Sequence, residues 1–273
     1  MRTIAHPGPE TGPRVEAVPC RAAPCDITLP ADRPLTEAVA AGFAAAGFTA
    51  GFLRLRDLPM ARLDYVIPAP SPDGAHAAWY SATFEGGAGR ITDAALHLGR
   101  RDGAPFIHCH GAWEAAGPGR GHLLGDAARL ARPCTVPALG LSGARFETAH
   151  DRETRFPLFA PRPVSGADEG DPAVLCRLRP NIDIADGVRE AAQMHGLGAA
   201  RVDGIGSLIG ARFADGSAVG SYATEMWITD GTVAGGEAPL DVTMIGLDGE
   251  AGQGRLSGAN LVCVTCELLL RAA

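Results

Sequence analysis

Two stretches of the chain space their apolar residues at three-to-four intervals: Leu35 to Phe52 and Ile184 to Arg201. Each opens on a cap or an acidic first turn and stops at a glycine, Gly47 and Gly196, which predicts one helix in each. Elsewhere the apolar runs are short or alternating and bounded by glycine-rich turns. In the second half these are Ala199 to Phe213, Tyr222 to Ile228, Leu240 to Leu247 and Gly258 to Leu270. One helix among several strands per half, mostly antiparallel, predicts the α+β class.

The same features recur in the same order. Leu35 to Phe52 lies over Ile184 to Arg201. Ala104-Pro105-Phe106-Ile107-His108-Cys109-His110 lies over Ala238-Pro239-Leu240-Asp241-Val242-Thr243-Met244, and Gly121-His122-Leu123-Leu124-Gly125 over Gly254-Arg255-Leu256-Ser257-Gly258. Residues 1–26 and 160–172 are rich in Pro, Gly and charge without a sustained period. The division expected is a flexible arm over 1–26, a domain over 27–159, a linker over 160–172 and a repeated domain over 173–273, each domain an antiparallel sheet with a flanking helix.

The first repeat carries the chemistry. On a strand, His108 and His110 project to one face, about 7 Å apart at the backbone, while Cys109 turns into the packing. After the turn-rich Gly117-Pro118-Gly119-Arg120-Gly121, the returning chain brings His122 beside them. Three neutral imidazoles hold a tetrahedral divalent ion with an open position, the arrangement of catalytic zinc, which polarises a carbonyl or activates water. The second repeat has Val242, Met244 and Arg255 in those places, so the fold does not require histidines there. Glu114 and Arg120, between the ligands in sequence, are the candidate acid–base and anion-binding helpers. Cys263 and Cys266 are three apart on a strand-like run and face opposite sides, as core thiols. Gly204-Ile205-Gly206 lacks the spacing of a dinucleotide-binding loop, and no strand-to-helix turn supports a nucleophile elbow at Gly140 to Ala144.

Composition narrows the chemistry. All 24 basic residues among the 273 are arginine, which excludes Schiff-base, pyridoxal-phosphate and Walker-type lysine mechanisms. A net charge of −7 argues against sequence-independent DNA binding. No apolar run is long enough to span a bilayer, and Met1 to Pro7 lacks the apolar stretch of a signal peptide, so a cytoplasmic chain is expected. Seven cysteines, an odd number spread thinly, fit reduced thiols.

His108-Cys109-His110, Gly119-Arg120-Gly121-His122-Leu123, Gly204-Ile205-Gly206-Ser207 and Thr265-Cys266-Glu267-Leu268 together resemble the plants-and-prokaryotes-conserved (PPC) domain, as a tandem pair over roughly 27–150 and 173–273. The resemblance implies an antiparallel sheet with a flanking helix, an oligomer, commonly a trimer, and zinc on the three histidines. Plant members carry AT-hook segments that bind DNA, and this chain has none. The broad fold is similar to that of acetolactate decarboxylase, another two-half chain with a three-histidine metal site. The second half lacks all three ligands, and Cys134 stands in the first half where Glu267 stands in the second, so one metal per chain is implied.

The expected function is therefore a metal-dependent enzyme acting on a small molecule, a lyase or hydrolase. Zinc or another divalent transition metal would sit on His108, His110 and His122, in a homo-oligomer with no membrane partner. The alternative is a non-catalytic oligomerising or regulatory module with an unknown protein partner, associated with DNA.

Overall fold

A computed structural model describes residues 2–165 and 170–273. In chain order its main elements are β1 (Val15–Leu29), α1 (Leu35–Ala45), β2 (Gly51–Arg62), β3 (Asp64–Val66), β4 (Gly89–Arg101), β5 (Ala104–Glu114), β6 (Arg120–Leu123), β7 (Cys134–Ser142), β8 (Ala144–His150), β9 (Pro157–Pro163) and β10 (Asp171–Leu178). Then follow α2 (Ile184–Met194), β11 (Ala199–Leu208), β12 (Thr224–Ala234), β13 (Leu240–Gly246), β14 (Ala251–Arg255) and β15 (Val262–Ala272). Among the described residues, no helix is long and apolar enough to cross a membrane.

Antiparallel pairing runs unbroken through β3, β6, β5, β4, β2, β7, β1, β10, β15, β11, β12, β13 and β14. This corrects the α+β expectation of two separate sheets each with its helix. The described residues are mostly β, with one 17-stranded sheet and two α-helices of 11 residues. The cause is β1. Its Arg21 to Leu29 pairs with β7 and its Val15 to Ala22 with β10, so one long strand sews the two halves into a single sheet. It also corrects the arm assigned to 1–26, whose residues from Val15 onward are strand. Val15, Cys20, Ala22, Ile27 and Leu29 are buried, an alternation that Pro19 and Pro24 obscure in the sequence. At the expected linker, Pro157–Pro163 pairs with β8 and Asp171 already begins β10, while 166–169 lie outside the described residues.

The sheet curls so that its two halves face each other, and the two-residue period of the strands decides what meets at the joint. Leu53 and Leu55 pack under α1 with Phe43 and Leu96. Met226, Ile228, Leu268 and Leu270 pack under α2 with Val188. The intervening residues Phe52, Ala95 and Phe146 meet Leu175, Ile205, Trp227 and Leu269 in a third cluster, contributed by both halves. By the same parity His97, His108 and His110 face the joint from one side, and Glu225 and Glu267 from the other.

Polar ties reinforce the joint. The Trp227 indole donates to Asp93 Oδ2 at 2.8 Å, and Arg54 spans from Asp93 to the Ile228 carbonyl at 2.7 Å. Beyond them Arg177 of β10 and Arg179 just after it bind Asp151 at 2.7 and 3.1 Å, an ion cluster buried between the halves. Burial alone would raise the Asp151 carboxyl, but the Thr154 amide and the two guanidiniums hold it down to about 2. Trp227 is 1% exposed, so Trp227→Ala empties a site in the middle of the shared core. The expected loss is about 3–5 kcal/mol, read as a lower urea midpoint with an unchanged slope. A loss under about 1 kcal/mol would show that the joint contributes little to folding.

Candidate metal centre

The β5–β6 hairpin sets His110 directly opposite His122, and the β4–β5 pairing sets His97 opposite His108. Gly121 makes the approach possible. Its φ is 150°, and a Cβ there would lie 2.2 Å from the Val66 carbonyl of β3, so only glycine lets β3 close against the strand that carries His122. The three rings gather with centroids 4.7 to 5.4 Å apart, and one ligand atom from each lies within 4.8 Å of the others. The structure thus brings together the three histidines expected from the sequence.

It does not bring in Glu114 and Arg120. Both lie at the turn end of the hairpin, Glu114 exposed and Arg120 half-buried, and neither lines the cavity beside the histidines. The carboxylates at the site come from the second half instead. Glu267 Oε2 lies 2.5 Å from His108 Nδ1, and Glu225 Oε2 lies 2.5 Å from His110 Nε2. The resemblance had included Glu267 as a motif residue without placing it on the histidines; Glu225 had no role in the sequence reading. A single carboxylate inside an apolar strand, as in Cys266-Glu267-Leu268-Leu269-Leu270 and Ala223-Thr224-Glu225-Met226-Trp227, is the signal that could have found both, because burying such a group is costly without a partner.

The imidazoles are oriented by the second half. His110 Nδ1 donates to the Met226 carbonyl at 3.0 Å, which leaves the Nε2 lone pair facing the centre. His108 Nε2 stands 3.0 Å from that atom. Two ring nitrogens and the Glu225 carboxylate, all acceptors when His110 is neutral, therefore crowd one point. With the His108 Nδ1 proton turned toward Glu267, a cation at that point, a metal ion or a proton, satisfies all three. His122 Nδ1 is buried without a hydrogen-bond partner, an orphan polar atom at the same centre. Backing by a carboxylate on one ring and a carbonyl on another is the outer support that metal-ligating histidines require. The residues present fit a divalent ion.

Burial sets the protonation. It holds His108 down to about 3, with His110 adding to the effect, and takes His122 well below the usual range. His97, whose Nε2 donates to the Glu267 carbonyl at 3.0 Å, is lowered by burial to about 4. All three rings are neutral at physiological pH, which for His108 and His122 is the state a metal ligand needs. His110 runs the other way: burial lowers it, but Glu225 outweighs that and raises it. Burial likewise pushes Glu225 up, yet His110 brings its carboxyl below the usual range. Burial pushes Glu267 up to about 7, so near neutrality a single proton lies between its Oε2 and His108 Nδ1.

The histidines form the floor of a cavity of about 500 Å³. Its walls are largely apolar, with Phe106, Phe156 and Phe159, and the short pairing of Pro68–Ala69 with Trp79–Tyr80 forms part of its mouth. The Tyr80 ring lies 5.2 Å from His122. Cys263 and Cys266 are buried free thiols in different clusters, and burial pushes Cys263 up to about 12, so neither is a reactive nucleophile.

No protein-family profile matches the chain, and no curated protein does. Among solved structures it is similar to a metal-containing protein from Archaeoglobus fulgidus, with 18% identity over 58% of this chain and 99% of that one, at a TM-score of 0.36. It is similar to a plant- and prokaryote-conserved (PPC) protein from Pyrococcus horikoshii, with 12% identity over 53% of this chain and 96% of that one, also at 0.36. A protein from Ralstonia eutropha JMP134, provisionally named for DNA binding, is similar at 14% identity over 50% of this chain and 89% of that one, with the same score. Likeness of this degree says nothing about activity.

Proposed function

We propose that the chain is a metal-dependent enzyme acting on a small molecule, a lyase or hydrolase, with one zinc-like divalent ion per chain on His108, His110 and His122. The reading keeps the metal site in the first of two related halves, 27–159, and gives the second half, 173–273, which lacks the three ligand histidines, the task of supplying Glu225 and Glu267. The observation that carries it is Glu225, whose carboxylate lies 2.5 Å from the inward nitrogen of His110 although three imidazoles already supply a ligand set. A purely structural site has no use for an extra ionised carboxylate facing a cavity of substrate size.

When bound, the ion would supply Lewis acidity that polarises a carbonyl or acidifies a water. The remaining work falls to the chain. Glu225 Oε2, kept ionised beside His110, accepts a proton from the attacking water or from the substrate. Glu267 and the Met226 carbonyl fix the rings of His108 and His110. The aromatic walls exclude bulk water, so each charge acts in a low-dielectric space.

A panel of small carbonyl and ester substrates, offered to zinc-loaded and chelator-stripped protein, tests this. Turnover is expected only in the loaded form. Equal turnover in both, or none across the panel with zinc in place, removes the enzyme reading and favours the non-catalytic module.

A further inference from the structure

The mouth of the cavity holds a cation without a counter-ion. Arg101, the last residue of β4, is exposed at the rim. Its guanidinium lies over the ring of Phe106, with Cζ 3.5 Å from the centroid, and among the described residues it makes no ion pair. Phe106 shares the strand face of His108 and His110, so the stacked guanidinium sits on the side from which a ligand reaches the histidines. The other charged groups lining the space are acidic. Glu225 and Glu267 are tied to the histidines on the floor, and Asp126 is exposed on the wall.

We propose that Arg101 receives the carboxylate of the substrate, and that the substrate is a small monoanion with an apolar body. The proposal rests on the enzyme reading above and names the substrate class of that same site. Stacking on Phe106 holds the planar guanidinium by cation–π attraction with its N–H fork free, so little order is lost when it grips a carboxylate through two hydrogen bonds. The walls of Trp79, Phe106, Phe156 and Phe159 suit an apolar body. Arg101 is the cation a ligand meets at the mouth, and Asp126 on the wall opposes a second negative charge there.

The test is calorimetric titration with phenylacetate and its neutral isostere phenylacetamide at pH 7, on wild-type protein and Arg101→Gln, each zinc-loaded and zinc-stripped, with zinc counted in every sample. Wild type is expected to prefer the anion about tenfold, the worth of a charge-assisted pair, in the stripped form as well as the loaded one. In the stripped form Arg101→Gln is expected to bind both ligands alike, and its zinc uptake is expected to match wild type. In stripped protein, a preference that survives the substitution, equal binding by wild type, no binding of phenylacetate at millimolar concentration, or tighter binding of phenyl phosphate would each overturn the proposal. The two readings fail separately. Zinc-bearing wild type without anion preference sinks the substrate class alone, whereas anion preference in protein that takes up no zinc sinks the metal alone.

Discussion

Purified protein reconstituted with zinc is expected to hold about one ion per chain, and His108→Ala/His110→Ala less than about a tenth of that, by elemental analysis after gel filtration. Both substitutions remove nitrogens held in place from outside, His108 through Glu267 and His110 through the Met226 carbonyl, so no rearranged side chain replaces them. The remaining His122 is a single ligand on its own strand. His122→Ala alone is expected to lose the metal as well, since it removes the third corner of the face. In both variants the fold should survive, because the joint is held by Phe52, Leu175, Ile205, Trp227 and Leu269 rather than by the ion. An unchanged circular dichroism spectrum would confirm that. Unfolding together with metal loss would make the centre structural. The pH dependence has a definite sign. The metal-free centre keeps a proton on His110 above the ordinary histidine range, because Glu225 stabilises it. Metal displaces that proton, so affinity rises with pH through the range in which His110 deprotonates and falls as the solution is acidified. Zinc retention that does not change on acidification would place the ion elsewhere.

How much of this was legible from sequence follows from the range of each signal. His108 and His110 are visible because a strand's two-residue period is local, and His122 because a hairpin is the nearest return of the chain. Glu225 and Glu267 reach the same point from strands more than a hundred residues away, through a joint that no local period announces. Glu114 and Arg120 are drawn in by closeness along the chain, but the hairpin that delivers His122 carries them away from the cavity. The two helices were readable from their apolar spacing and glycine stops. The α+β expectation failed at β1, where prolines and charge conceal a strand whose partners, β7 and β10, lie in opposite halves. The merged sheet is also what creates the site, because without it the carboxylates would not face the histidines.

Replacing the Glu225 carboxylate by the isosteric amide is expected to leave zinc near one per chain and to cut turnover by about 10²–10⁴-fold, the usual worth of a positioned general base. Gln keeps the shape and can still hydrogen-bond, but it cannot take a proton. The three imidazoles remain, which is why the metal should stay. His110 loses the charge that raised it, so its proton competes less with the ion and apparent zinc affinity at low pH should rise. This pair of readouts separates two chemistries that the 2.5 Å contact allows. If Glu225→Gln sheds the metal, the carboxylate is a fourth ligand, the centre is closed in the manner of structural zinc, and the catalytic reading falls. If the metal stays and turnover is unchanged, Glu225 is a bystander and the proton acceptor has to be sought at Glu267. Glu267→Gln then decides: a loss of that size with zinc retained assigns the proton transfer to Glu267, whereas unchanged turnover in that variant too removes both carboxylates from the reaction.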